Sequence, residues 1–137
     1  MSRFREITTN RALPPAYAYS QALGYRDLVF TQGVNPCDPV TAEVVGHTIE
    51  EQTGQAMKNL TAILAAAGAS LADVIKVSVH LADLLGDFEG FDRVYRGHFS
   101  APYPVRTTVG VTLWHDYLIE IDVVACVPQV PDGQAGR

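Results

Sequence analysis

Apolar residues recur along this chain at two spacings, and the switches between them mark its elements. Residues 27–34 are β-branched, aliphatic and aromatic, and close on Gly33 and Pro36, which predicts a strand. The two prolines of Asn35-Pro36-Cys37-Asp38-Pro39 remove donors and restrict their predecessors, so a loop follows. Thr48 with Glu51 three residues on is a capping box. Behind it Ala56, Leu60, Ile63, Leu64 and Ala67 repeat at helical spacing, with Gly68 where a left-handed residue ends a helix. Gln55, Lys58, Asn59 and Thr61 form the expected solvated face.

Residues 74–81 alternate, with Ile75, Val77, Val79 and Leu81 on one expected face and Lys76, Ser78 and His80 on the other. A second helix is expected over 87–99, with Phe88, Phe91, Val94, Tyr95 and Phe99 as its stripe and Gly90 and Gly97 weakening it. Pro102-Tyr103-Pro104 breaks the chain. Strands are expected over 105–111 and 117–127, the last with Ile119, Ile121, Val123 and Ala125 on one face. The aperiodic residues 129–137 are expected to form a flexible tail on a single domain spanning 1–128.

This order predicts an α+β fold, with two helices layered on one face of a sheet. The other face is expected to carry Ser78, His80, Arg106, Thr108, Glu120 and Asp122 among aliphatics. Such a mixed face points to a subunit interface containing a ligand site.

Composition narrows the function. At 137 residues the chain is about one domain long. Ten basic against fifteen acidic residues leave a net charge of −5, which argues against a nucleic-acid partner. No apolar run approaches the ~20 residues of a membrane span, so no membrane partner is expected. Met1-Ser2-Arg3-Phe4-Arg5-Glu6 has no apolar stretch behind its charges, so a cytoplasmic protein is expected. Cys37 and Cys126 are then expected as free thiols, although their spacing leaves a disulfide open. The four histidines form no ligand pair, so no metal site is expected.

Two charged residues in strand patterns need a reason, Arg106 and Glu120. A guanidinium fits a carboxylate with two parallel hydrogen bonds, and a carboxylate can hold or activate water. The alternative is a structural salt bridge between adjacent strands. His115 is read as an exposed loop residue, His80 as interface packing, Tyr103 as a cover for the strand end and Cys126 as a small hydrophobe.

Pro104-Val105-Arg106-Thr107-Thr108-Val109-Gly110-Val111, followed by Ile119-Glu120-Ile121-Asp122-Val123-Val124-Ala125, resembles the C-terminal signature of the Rid (YjgF-type) reactive-intermediate deaminase family. Tyr19-Ser20-Gln21-Ala22, Phe30-Thr31-Gln32-Gly33, residues 66–76, and Asp83-Leu84 with Phe88 and Tyr95 extend the likeness over about residues 15–127. The resemblance implies a chorismate-mutase-like two-layer fold with a mixed sheet, assembled as a homotrimer with clefts between subunits. It also implies cofactor-independent hydrolysis of small enamine or imine acids, such as 2-aminoacrylate, to the 2-oxo acid and ammonia.

Carried over by position, the resemblance makes Arg106 the grip on the substrate carboxylate and Glu120 the holder of the attacking water. The Thr108 carbonyl would help place that water, Tyr19 would line the cleft, and Gly33 would let the substrate approach the backbone. Four sites depart from the family pattern, one of them Thr108 in place of a cysteine. Tyr17-Ala18 replaces Gly-Pro, Gln32 replaces a small residue, and Asp92 replaces an asparagine. An acid beside Arg106 would oppose anionic substrates, unless Asp92 turns to solvent. Two other readings stay open, an enzyme of a dedicated pathway with a different substrate and a trimeric ligand-binding regulator without turnover.

Overall fold

The computed structural model describes residues 3–128, so the expected tail at 129–137 lies outside the described residues. Three short strands open the chain: β1 (Arg5–Ile7), β2 (Ala22–Tyr25) and β3 (Leu28–Thr31). Helix α1 (Ile49–Ala66) follows, then β4 (Val74–Leu81), α2 (Leu84–Arg96), β5 (Val105–Gly110) and β6 (Ile119–Cys126). The strands form one sheet in the order β1-β2-β3-β6-β4-β5, antiparallel except for the β4–β5 pair. A parallel pair needs a crossover, and α2 supplies it.

Helix α1 starts where the capping box predicts. The Thr48 side chain accepts from the Glu51 amide, and the Glu51 carboxylate accepts from the Thr48 amide. Two residues past the end of α1 stands Gly68 with φ +79°, the left-handed position that glycine takes without a Cβ penalty. Ala56, Leu60, Ile63 and Leu64 are buried as expected, against Ile121, Val123 and Ala125 of β6 and Val77, Val79 and Leu81 of β4. All of that apolar surface leaves water, the main favourable term in folding.

Several sequence expectations need correction. The strand expected over 27–34 covers only Leu28–Thr31; beyond it Val34 makes a single bridge to Ile121. Strands β1 and β2 were not foreseen, since runs of three and four residues are too short to show a period. Ile75 is 49% exposed and Val74 is buried instead, because a bulge between Val74 and Lys76 shifts the register against β6. Helix α2 begins three residues early, capped by Asp83, whose carboxylate accepts from the Gly86 amide, and it ends at Arg96. Asn59, expected in solvent, is 2% exposed and donates to the carbonyls of Asn35 and Cys37.

Three buried amides tie loops to this scaffold. Asn59 secures the loop after β3. Gln52 donates to the carbonyls of Gly46 and Asp116 and accepts from the Leu118 amide, fixing the loop before β6. Gln21 donates from Nε2 toward the carbonyls of Thr9, Ala12 and Leu13 and accepts from the Thr9 amide, which holds the N-terminal loop. Gln21 is 1% exposed, so truncation strands several buried backbone groups. Gln21→Ala is expected to lower stability by roughly 2–3 kcal/mol, read from the urea midpoint at unchanged slope.

Candidate active site

The register across the last three strands decides where the candidate residues go. Val77 of β4 stands between Arg106 of β5 and Val123 of β6, while His80 stands between Val109 and Glu120. Paired residues share a face, and residues three apart on a strand point oppositely. Arg106 therefore lies on the helix-covered face with Val77, and Glu120 lies on the open face with His80. Thr108, paired with Val79, shares the face of Arg106. The expectation that Arg106 and Thr108 belong to the open face is thus wrong, while Ser78, His80, Glu120 and Asp122 do lie there. Period-two alternation showed which residues of 105–111 go together, but not which set meets the helices. Arg106 and Glu120 do not converge within one chain, and no salt bridge joins them.

Arg106 sits at the sheet edge against α2. Its Nη1 is 2.8 Å from Asp92 Oδ1, with the two side chains 22% and 18% exposed. The guanidinium carbon lies 4.7 Å from the Tyr95 ring centroid, 5.3 Å from that of Phe91 and 5.6 Å from that of Phe88. Negative ring faces attract the cation, and the attraction grows as water leaves. The residues that hold Arg106 come from one helix stripe: Phe88, Asp92 and Tyr95 follow the i, i+4, i+7 spacing. Asp92 turns toward Arg106 rather than to solvent, and its other oxygen takes Arg96, one turn further on. Hydrogen bonds from Arg96 and Arg106 hold the Asp92 carboxyl below the usual carboxylate range. Burial pushes the Tyr95 hydroxyl up.

The Glu120 half is built from the other face and the loops beside it. The Val34–Ile121 bridge brings residue 33 alongside Glu120. A Cβ on Gly33 would stand 2.2 Å from Glu120 Oε1, so only glycine leaves that carboxylate where it is. The His80 ring Nδ1 lies 3.3 Å from the Glu120 carbonyl. Tyr117 faces Cys37, whose thiol is 3.5 Å from its hydroxyl; burial and that thiol push the Tyr117 hydroxyl up. Tyr19 and Glu120 act on Tyr117 electrostatically in the same direction. Tyr19 is 48% exposed and lines a small cleft with Leu13, Gln32, Asn35 and Asn59. The seven candidate residues thus fall into two groups: Arg106, Asp92 and Thr108, and Glu120, Gly33, Tyr19 and Gln32.

Phe88 and Tyr95, expected as part of the apolar stripe and of the family resemblance, carried no sign in the sequence that they would flank Arg106. Sequence reasoning missed Arg96, although an acid followed four residues later by a base is a helical pair. Tyr117 and Cys37 carried no signal, since the loops that join them are 80 residues apart in sequence. His115 and Tyr103 are exposed, the first as read. Cys37 and Cys126 are free thiols. Among the described residues no group of three or more His, Cys, Asp or Glu side chains could hold a metal, and no helix is long and apolar enough to cross a membrane.

The depressed Asp92 value has a definite sign. Its stabilising contribution is complete above the ordinary carboxylate value near about 4 and declines as pH falls through the lower folded value. The stability difference between wild type and Asp92→Asn, measured by denaturation, is expected to be constant from pH 5 to 7 and to shrink below about pH 4.

The chain is similar to known proteins over nearly its whole length. The family model described as Endoribonuclease L-PSP matches residues 9–127. A RutC family protein of Saccharolobus solfataricus is 45% identical over 120 residues, 87% of this chain and 94% of that one. Reactive Intermediate Deaminase A, chloroplastic, of Arabidopsis thaliana is 38% identical, covering 88% of this chain and 65% of that one. The crystal structure of E. coli TdcF with bound serine superposes with a TM-score of 0.83 at 34% identity, over 89% of this chain and 98% of that one. Together with the two-layer fold described above, these matches show that the chain belongs to the Rid (YjgF/RidA) family.

Proposed function

We propose that this protein is a cytoplasmic, cofactor-independent deaminase that hydrolyses small enamine or imine acids to the 2-oxo acid and ammonia. The observation that carries the reading is the mounting of Arg106: a half-buried guanidinium backed by three rings and a carboxylate, at the edge of the sheet. A cation held in this way is a preorganised receptor for an anion. Two relatives add support. One is named a reactive intermediate deaminase, and TdcF carries serine, which has the carboxylate and α-nitrogen of the proposed substrate. A net charge of −5 argues against a nucleic acid as the substrate.

The chemistry follows from the groups present. Arg106 takes the substrate carboxylate through donors that Asp92 leaves over, since a guanidinium has five N–H groups. Glu120 accepts a proton from water as its oxygen attacks the imine carbon. Glu120 returns that proton to the nitrogen, giving a carbinolamine, then carries the new hydroxyl's proton to the amine, so that the carbonyl forms as the carbon–nitrogen bond breaks and ammonia leaves the 2-oxo acid. An imine carbon is already electrophilic, so orienting one water accounts for much of the acceleration.

Because Arg106 and Glu120 occupy opposite faces of the sheet, the reading requires them to come from different copies. The open face supports this, with Leu23, Phe30, Val105 and Val109 each more than a third exposed among polar neighbours. Unpartnered apolar surface of this kind marks an interface. In the proposed homotrimer the Arg106 half of one subunit meets the Glu120 half of the next.

Two experiments test the reading. With 2-aminoacrylate generated by a pyridoxal-phosphate dehydratase, the wild type is expected to speed its loss and Arg106→Ala to match buffer. Equal acceleration by that variant removes the proposal. When inactive Arg106→Ala and Glu120→Gln chains are unfolded and refolded together, about a quarter of the sites draw both intact groups from different subunits. Mixed assemblies are expected to regain about that share of wild-type activity. No recovery would remove the reading in which Arg106 and Glu120 of different subunits share one site.

A further inference from the structure

Asp92 poses an electrostatic problem for the site just described. A carboxylate 2.8 Å from Arg106 cancels most of the charge that would attract an anion. The structure contains a compensating charge. Arg96 lies four residues on, in the last turn of α2, and pairs with the second oxygen of Asp92. The other cation of that turn, Arg93, is turned away to Glu50 at 3.1 Å. Arg96, Asp92 and Arg106 therefore form one line of alternating charge that sums to a single positive charge. The Arg96 side chain is 69% exposed, so it does not fill the core.

We propose that Arg96 is a positioning residue that sets the charge preference of the site: it compensates Asp92 and so keeps Arg106 selective for carboxylates. The inference rests on the reading of Arg106 as the carboxylate grip. It adds that Asp92 and Arg96 work as a unit. Either one alone changes the affinity for anions, in opposite directions.

The test uses the full chain as it assembles, with pyruvate as the anionic probe and pyruvamide as its neutral counterpart, both followed by calorimetry. Arg96→Ala leaves no net charge at the triad and is expected to weaken pyruvate binding about 3- to 5-fold, the range of a partly exposed ion pair. Asp92→Asn leaves two positive charges and is expected to strengthen binding by a similar factor. The double variant regains one positive charge and is expected within about twofold of wild type. Pyruvamide binding is expected to change in none of them.

A merely structural role for Arg96 would weaken both probes and leave the double variant as weak as Arg96→Ala; that result overturns the proposal. So does a pyruvate affinity unmoved by Arg96→Ala or Asp92→Asn while Arg106→Ala abolishes binding, a result that leaves the Arg106 reading standing. Pyruvate binding that is absent, or indifferent to Arg106→Ala, removes the Arg106 reading itself and this inference with it.

Discussion

The pairing of β5 with β4 and of β4 with β6 governs the chemistry available to this protein. One residue of slip in either pairing would move every side chain of that strand to the other face. The register is not free to slip, because Val77, Val79 and Leu81 and then Ile119, Ile121 and Val123 must all meet the helices. With those positions committed to the core, Arg106 is carried to the helix side at the sheet edge, and Glu120 to the open side. Core packing thus places these two side chains on opposite faces, so that in the proposed reading a single chain presents only half a site on each.

The halves are held by different physics. Arg106 stands where a bare charge would be costly, and rings, a carboxylate and partial access to water together lower that cost. Its partners lie along a single helix, so the position of α2 on the sheet determines the direction of the guanidinium. Among the described residues Glu120 has no ion pair. Its carboxylate is placed by space, in the room left by a missing Cβ at Gly33, and by a strand fixed on both sides. One group is gripped and the other is given clearance, as suits the receptor and the proton carrier that the proposed function makes of them.

The loops around the second half lie outside the sheet and the helices, and without backbone partners they would be mobile. Gln21, Gln52 and Asn59 prevent this by offering buried amides to backbone groups that have no sheet or helix partner. Two of the three lie on α1, so the helix that fills the core also positions Tyr117 and the segment through Cys37. Stability and site geometry are coupled through the same side chains.

Local rules carried much of this fold into view. The capping box, the Gly68 terminus and the alternation of β6 act within a few residues, so the sequence determined them alone. The Pro-Val-Arg and Ile-Glu-Ile-Asp strings likewise identified Arg106 and Glu120 as exceptional. The bulge at Ile75, the burial of Asn59 and the face taken by Arg106 were not legible, because each is settled by what lies across the sheet or beneath the helix. Alternation states which residues travel together; only packing states toward what. The orientation of Asp92 belongs to that second class, since a helical position points either to water or to a neighbour according to where the helix lands. Tertiary structure landed α2 on β5, and so turned an isolated acid into the partner of Arg106.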